Sequence, residues 1–145
     1  MKSMWGEGRQ EITDRITRLM PESKAQWGRM SAPQMVCHLA ESLKMALGEL
    51  PVQPKRVPIR YPPLKQFIVY LAPFPKNVPT APELLARSPR DWQADVADLR
   101  ALVDRFEPRD GASWPEHPAF GKLSERAWGV LVYRHMDHHL KQFGA

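Results

Sequence analysis

The chain has 145 residues, of which 43% are hydrophobic and 26% are charged. These values are typical of a globular protein, and the length suits one domain over residues 1–145 with a single core. The net charge of +5 comes from 21 basic and 16 acidic residues that are interspersed, so charge alone does not indicate a nucleic-acid partner. The densest basic stretch lies among prolines and is typical of a solvated loop: Lys55, Arg56, Arg60 and Lys65.

Cysteine content and hydropathy predict the compartment. Cys37 is the only cysteine, which excludes an intrachain disulfide and fits a reducing environment. Residues 1–15 contain no apolar stretch of signal-peptide length. The longest apolar run, residues 67–72, is far shorter than the roughly 20 residues of a membrane span. We therefore expect a soluble, cytoplasmic protein with no membrane partner.

The first helix is predicted over about residues 7–20. Its apolar positions recur three and four residues apart, with charged residues between them: Ile12, Ile16 and Leu19. Pro21 cannot continue a helix, so we expect the helix to end before it.

The second helix is predicted over residues 32–48. Ser31 and Gln34 have the spacing of a capping box, in which each side chain bonds the backbone N–H of the other residue. An apolar stripe follows: Met35, Leu39, Leu43, Ala46 and Leu47. Gly48 suits the left-handed conformation that often closes a helix.

Proline dominates the middle of the chain. Residues 51–82 contain nine prolines, a density that excludes a long helix or a central strand. Residues 64–72 are the exception and are predicted to form a short buried helix. We expect the whole stretch to be a crossover connection between two long helices.

Two more helices are predicted in the second half of the chain. For the first, over residues 89–107, Ser88 is the predicted N-cap, with Pro89 in the first helical position. Its apolar face should share a core with Leu39, Leu43 and Val132: Trp92, Val96, Leu99 and Val103. After a loop over residues 109–123, the last helix is predicted over residues 124–142, with Gly144 as its cap. Four long helices without alternating strand patterns predict an all-α four-helix bundle.

Three of the five histidines lie near the end of the chain, at His135, His138 and His139. On a helix, His135 and His139 lie on one face, about 6 Å apart along the axis. This spacing lets two imidazoles of one helix bind one cation. Trp128 and Val132 extend the same face and make it apolar, so it should point into the core, whereas His138 lies on its flank.

A third ligand has to come from another helix, and His38 is the candidate. It shares a face with Met35, Ser42 and Met45 on the core side of the second helix. Three histidines with an open fourth position are typical of a catalytic zinc site, and imidazole also suits nickel or iron. A hydrogen-bonded core histidine at position 38 is the alternative, as is stabilisation of the C-terminal histidines by the helix dipole.

Two neighbours of His38 are less well placed for the site. Cys37 lies about 100° around the helix from His38 and is expected to pack as a small buried hydrophobic residue. Glu41, one turn after His38, has the position of a base or of a residue that orients a ligand. A solvated surface glutamate is the preferred interpretation.

Four segments together resemble the DinB-like superfamily. They are "WGRMSAPQMVCHLAES" (residues 27–42), "FPKNVPTAPEL" (74–84), "HPAFGKLSERAWG" (117–129) and "HMDHHLKQFG" (135–144). The resemblance is to a bacterial branch without a settled activity and covers the chain from about residue 15. It implies an up-down-down-up bundle in which residues 49–82 form the long crossover between the second and third helices. It also implies a divalent metal bound by His38, His135 and His139, with Gln142 completing an H-x-x-x-H-x-x-Q pattern.

The resemblance extends to function. The superfamily includes transferases that use a low-molecular-weight thiol, mycothiol or bacillithiol, and relatives often form dimers. It therefore implies a metal-dependent enzyme acting on a small molecule through a thiol, in a homodimer. Hydrolysis by activated water and non-catalytic binding of a metal or small ligand in a stress protein are alternatives. No thiol-binding residue of the characterised transferases can be matched in this chain.

Overall fold

The structure is a computed structural model that describes residues 1–78, 80–109 and 113–145. Within these ranges the chain is all-helical and contains five α-helices: α1 (Glu7–Thr17), α2 (Ala32–Ala46), α3 (Leu64–Tyr70), α4 (Trp92–Arg105) and α5 (Glu125–Gln142). Two 3-10 turns, Pro58–Arg60 and Pro82–Leu84, lie between α2 and α4. The prediction of an all-α protein is confirmed for the described residues. Pro79 of the predicted crossover and residues 110–112 of the predicted loop lie outside the described ranges.

The four longest helices pack against one another in pairs. α2 contacts both α4 and α5, and α1 also contacts both α4 and α5. α3 lies in the long connection between α2 and α4 and contacts α5. Among the described residues, no helix combines the length and the apolar character needed to cross a membrane.

The predicted caps of α2 and α5 are confirmed. The Ser31 hydroxyl accepts the N–H of Gln34 at 3.2 Å, and the Gln34 side chain accepts the N–H of Ser31 at 2.8 Å. Gly48 follows α2 with φ 82°, and Gly144 follows α5 with φ 75°. Ser124, predicted as the first residue of the last helix, is its N-cap instead, and its hydroxyl accepts the N–H of Ala127 at 3.1 Å. The N-terminal hydrogen bonds and the C-terminal glycines together define both ends of the two helices that carry the candidate ligands.

The N-cap predicted for α4 is wrong. The helix begins at Trp92, and its N-cap is Asp91, whose carboxylate accepts the N–H of Ala94 at 2.9 Å. Ser88 is therefore three residues upstream of the cap. The physical reason is the carboxylate of Asp95, which is buried next to Cys37 of α2. It accepts the N–H of Arg90 at 2.9 Å and keeps that residue outside the helix.

The short helix α3 forms as predicted, but it is not buried. Only Val69 is buried in it, while Phe67 is 54% exposed and Leu71, just after it, is 68% exposed. The helix is apolar on both sides, and only one side can face α5. Arg134 of α5 donates to carbonyl oxygens at the C-terminal end of α3 and ties the two helices together.

The core lies where the long helices meet. Leu99 and Val103 of α4 are fully buried with Leu39 and Leu43 of α2, and Val132 of α5 belongs to the same cluster. Trp92 and Val96 pack against this cluster but are only partly buried. The predicted core is therefore correct for the second half of the α4 face, and the first turn of α4 lies at its edge.

Candidate metal centre

Three histidines from two helices meet in the interior. His38 projects from α2, and His135 and His139 project from α5. Their ring centroids are 5.1 Å (His38–His135), 4.8 Å (His38–His139) and 4.8 Å (His135–His139) apart. One ring nitrogen of each lies within 4.8 Å of the other two. The expected convergence of the three imidazoles is present, and such a cluster can hold a metal ion.

The imidazole of His38 is oriented by a backbone carbonyl. Its Nδ1 lies 3.3 Å from the carbonyl oxygen of Leu84, in the 3-10 turn that precedes α4. A carbonyl oxygen can only accept, so Nδ1 carries the proton and donates it. In the neutral ring Nε2 then has a free lone pair, and this atom points toward His135.

The imidazole of His139 is oriented by a chain of two hydrogen bonds. The Gln142 amide nitrogen donates to the carbonyl oxygen of Trp27 at 2.7 Å, which fixes the orientation of the amide. The Gln142 oxygen therefore faces His139, whose Nδ1–H donates to it at 2.7 Å. His139 is thus held, like His38, with its Nε2 lone pair available.

A short distance in the cluster joins ring nitrogens of His38 and His135. Their Nε2 atoms lie 3.2 Å apart. Two lone pairs at this distance repel unless a proton or a cation lies between them. Two nitrogens bound at 2.0 to 2.1 Å to one tetrahedral zinc ion are about 3.3 Å apart. The spacing of this pair therefore fits a divalent cation, and the third imidazole has a nitrogen within 4.8 Å of both.

Burial keeps the three rings neutral, as a metal ligand requires. Burial lowers the pKa of His38 below its ordinary value of 6.5. Burial and then the neighbouring His38 lower the pKa of His139 to about 3. Burial of its ring, followed by the adjacent imidazoles, lowers the pKa of His135 well below 6.5, although part of the residue remains exposed.

His138 lies beside the cluster rather than in it. Its ring is 5.2 Å from that of His139, but it faces Trp27 at 5.4 Å and Phe74 at 5.9 Å. It is not among the histidines whose nitrogens converge in the described part of the chain. The predicted flank position of His138 is confirmed.

Residues 6–145 match the family described as "Protein of unknown function (DUF1569)". The chain belongs to this family. No curated protein and no solved structure gives a significant match. The match spans all three candidate ligands, so the cluster lies inside the region that defines the family.

The prediction for Cys37, a neighbour of His38, is confirmed, whereas that for its other neighbour, Glu41, is wrong. Cys37 is buried, as predicted, and its Sγ lies 3.8 Å from a carboxylate oxygen of Asp95. Burial, followed by the charge of Asp95, raises the pKa of this thiol. The preferred interpretation of Glu41 was wrong, because it is only 8% exposed. It contacts Lys44 at 3.0 Å and Arg87 at 3.7 Å, so it belongs to a network of ion pairs.

Sequence reasoning missed the groups that orient the ligands. The carbonyls of Leu84 and Trp27 carry no side-chain signature, and they lie 46 and 115 residues from the side chains they bind.

No role is predicted from the sequence for His117, whose Nδ1 accepts the backbone N–H groups of Ala119 and Phe120 at 3.0 and 3.2 Å. His117 therefore closes a loop. The proline and glycine around it were the available signal.

Proposed function

We propose that the protein binds a divalent cation through His38, His135 and His139 and is a metal-dependent enzyme. The observation that carries this proposal is the arrangement of the imidazoles. Two of them have Nδ1–H groups held by acceptors outside the cluster and Nε2 lone pairs available within it. Outer hydrogen bonds of this kind orient histidine ligands in metalloproteins. Zinc, nickel and iron all suit three imidazoles.

We propose further that the fold is that of the DinB-like superfamily. In this proposal α1, α2, α4 and α5 form an up-down-down-up bundle, and the segment with α3 is the crossover between α2 and α4. The packing of α1 and of α2 on both α4 and α5 supports it. The candidate ligands also lie on the second and the last of the four long helices, as in the resemblance drawn from the sequence.

The number of ligands favours an enzyme over a structural metal site. Among the described residues, three metal-binding side chains converge at this cluster, whereas structural zinc sites have four protein ligands. When bound, the cation would lower the pKa of a coordinated thiol, so that the thiolate is available as a nucleophile at neutral pH. The protein itself contributes orientation, since Leu84 and Gln142 hold His38 and His139 in one tautomer.

We propose a thiol-dependent S-transferase with a small-molecule substrate as the first candidate activity. A metal-dependent hydrolase is the second, because the same three-ligand site suits activation of water. A non-catalytic stress protein that binds a metal or small ligand is the third. A cytoplasmic homodimer without a nucleic-acid partner is part of the proposal.

Metal analysis of purified variants tests the proposed site. His38→Ala, His135→Ala and His139→Ala should each lower the bound metal measured by mass spectrometry after loading and desalting. His138→Ala, a change of the same type beside the cluster, is the control and should retain the metal. Loss of metal in His138→Ala with retention in His139→Ala would contradict the assigned ligands.

Activity assays separate the candidate reactions. The metal-loaded protein is incubated with a thiol and an electrophilic alkyl halide, and separately with an activated ester. Thioether formation that disappears in His135→Ala supports the transferase. Ester cleavage with the same dependence supports the hydrolase. Binding of metal without either activity supports the non-catalytic alternative.

A further inference from the structure

A pocket of about 310 Å³ adjoins the metal centre and shares His38 with it. Its walls come from the segment before α2, the first half of α2, and the segment between the 3-10 turn at Pro82–Leu84 and α4. The volume lies at the lower end of the range of small-molecule sites. Among the described residues that line it, two are arginines, Arg29 and Arg87, and none is acidic.

Arg87 is held in the pocket wall by carboxylates that lie behind it. One of its terminal nitrogens donates to the buried Asp95 at 2.5 Å and to Asp98 at 3.4 Å. The other terminal nitrogen lies 3.7 Å from Glu41, which is beyond hydrogen-bond distance. A guanidinium has five N–H donors, and the two bonds use only the nitrogen that faces the carboxylates. The other terminal nitrogen and Nε form no hydrogen bond with a described residue, although the ion pair with Glu41 holds the guanidinium in place.

Three other polar groups in the pocket add to this donor set. Arg29 is exposed and has no hydrogen bond or ion pair with any described residue. The side-chain oxygen of Gln34 is occupied by the N–H of Ser31, which leaves its amide N–H groups available. Ser88, whose side chain carries a hydroxyl, lines the same pocket. Two guanidinium groups, an amide and a hydroxyl thus belong to residues that line one pocket, and the carboxylates that pair with Arg87 are not among the lining residues. Such a set of donors is the chemistry that recognises an oxyanion.

Apart from His38, the rest of the lining is apolar and includes Met30, Leu84 and Pro89. Apolar walls around a few convergent donors are typical of sites for small organic molecules. We propose that this pocket binds the carboxylate or phosphate group of a small organic substrate beside the imidazole of His38. The role as a substrate site rests on the proposed function, whereas binding of the anion depends on the pocket alone.

A titration with simple probes tests the pocket. Butyrate, n-butanol and inorganic phosphate are each added to the full-length protein, and backbone amide shifts of Leu84, Leu85 and Ser88 are followed by NMR. Butyrate should bind saturably, and n-butanol, which has the same chain without the charge, should not. Competition by phosphate would extend the accepted group to phosphates, and its absence would restrict the group to carboxylates.

A pair of variants separates the pocket from general charge. Arg29→Gln should weaken butyrate binding about tenfold, the effect of losing one charged hydrogen bond. Arg100→Gln removes the same charge from an exposed residue of α4 that does not line the pocket, and should leave the affinity within about twofold. Equal affinities of wild type and Arg29→Gln, equal loss in both variants, or equal binding of n-butanol would overturn the proposal.

The titration is run on metal-free and on zinc-loaded protein, so that the two proposals fail separately. Absence of saturable butyrate and phosphate binding in a protein that retains zinc overturns only the anion pocket. Anion binding with the expected loss in Arg29→Gln, in a protein that does not bind zinc, supports the pocket and overturns the metal-dependent function.

Discussion

Nε2 of His38 lies 3.2 Å from Nε2 of His135, and the other nitrogen of His38 donates to a carbonyl. The first nitrogen of His38 therefore cannot carry a proton while the ring is neutral. In the absence of a metal, His135 has to supply the proton between them. A metal ion replaces that proton and binds the Nε2 lone pairs of both His38 and His135. Binding of the metal is therefore linked to loss of a proton from the cluster.

Gln142 is predicted to raise the metal affinity without touching the metal. Gln142→Ala removes the acceptor of the His139 Nδ1–H, so the ring is free to rotate and to change tautomer. We expect a loss of about 10- to 100-fold in zinc affinity, measured by competition with a chromophoric chelator. Gln93→Ala, on the exposed face of α4, is the control and should have no effect. An unchanged affinity for Gln142→Ala would exclude this orienting role.

Gly28 is predicted to be required for the contact between Trp27 and Gln142. Its φ is 80°, and a Cβ there would lie 2.7 Å from Nε2 of Gln142. Gly28→Ala should therefore displace Gln142 and lower zinc affinity. Gly6→Ala is a matched control, because Gly6 has φ 95° but a Cβ there would meet nothing within 4 Å.

Both glycine variants should lose about 1 to 3 kcal/mol of stability from the left-handed backbone conformation. Only Gly28→Ala should lower zinc affinity in the chelator competition. Equal zinc affinities in the two variants would show that the close approach of Gly28 has no effect on the centre.

Leu99→Ala is predicted to destabilise the protein by about 2 to 5 kcal/mol, as large-to-small changes in a packed core do. Leu99 is fully buried between the long helices, whereas Leu71 is 68% exposed. Leu71→Ala makes the same chemical change at the surface and should cost less than about 0.5 kcal/mol. Urea denaturation followed by circular dichroism measures both. A cost below about 0.5 kcal/mol for Leu99→Ala would show that its side of α4 is not packed.

The metal-free protein is predicted to lose stability as the pH falls from 6.5 toward 3. Burial, with a contribution from the charge of Arg60, lowers the pKa of His117 from 6.5 to about 3. Between these values the unfolded chain binds a proton that the folded chain excludes, so stability rises with pH and decreases on acidification. The pKa values of His38, His135 and His139 are also lowered, so these residues act in the same direction.

His117→Asn isolates one part of this pH dependence. The asparagine oxygen can accept the N–H groups of Ala119 and Phe120 in place of Nδ1, but it does not titrate in this range. Urea midpoints of chelator-treated protein between pH 7 and pH 4 should fall less steeply in the variant than in the wild type. Parallel curves of urea midpoint against pH for the two proteins would mean that His117 takes up a proton equally in the folded and the unfolded state.

Local sequence determined the parts of the fold that depend on neighbours along the chain. The capping box at Ser31 and Gln34 needs only residues three apart, and it forms as predicted. The shared face of His135 and His139 follows from the 3.6-residue period of one helix. For the same reason the sequence placed His138 on the flank. These features depend on bonds and spacings within a single helix, so they could be read before the helices were packed.

Tertiary structure decided which local alternative was used and what completes the site. Ser88 was the predicted cap of α4, but Asp91 is the cap, because Asp95, buried next to Cys37 of α2, binds the backbone N–H of Arg90. The sequence predicts His38 on the core face of α2. Only the packing of α2 against α5 brings its Nε2 to within 3.2 Å of Nε2 of His135. The carbonyl of Leu84 accepts from the ligand His38, and that of Trp27 accepts from Gln142, which orients His139. Both carbonyls come from distant parts of the chain. Every residue has a carbonyl, so its use as an acceptor is set by the packing of the chain and leaves no mark on the sequence.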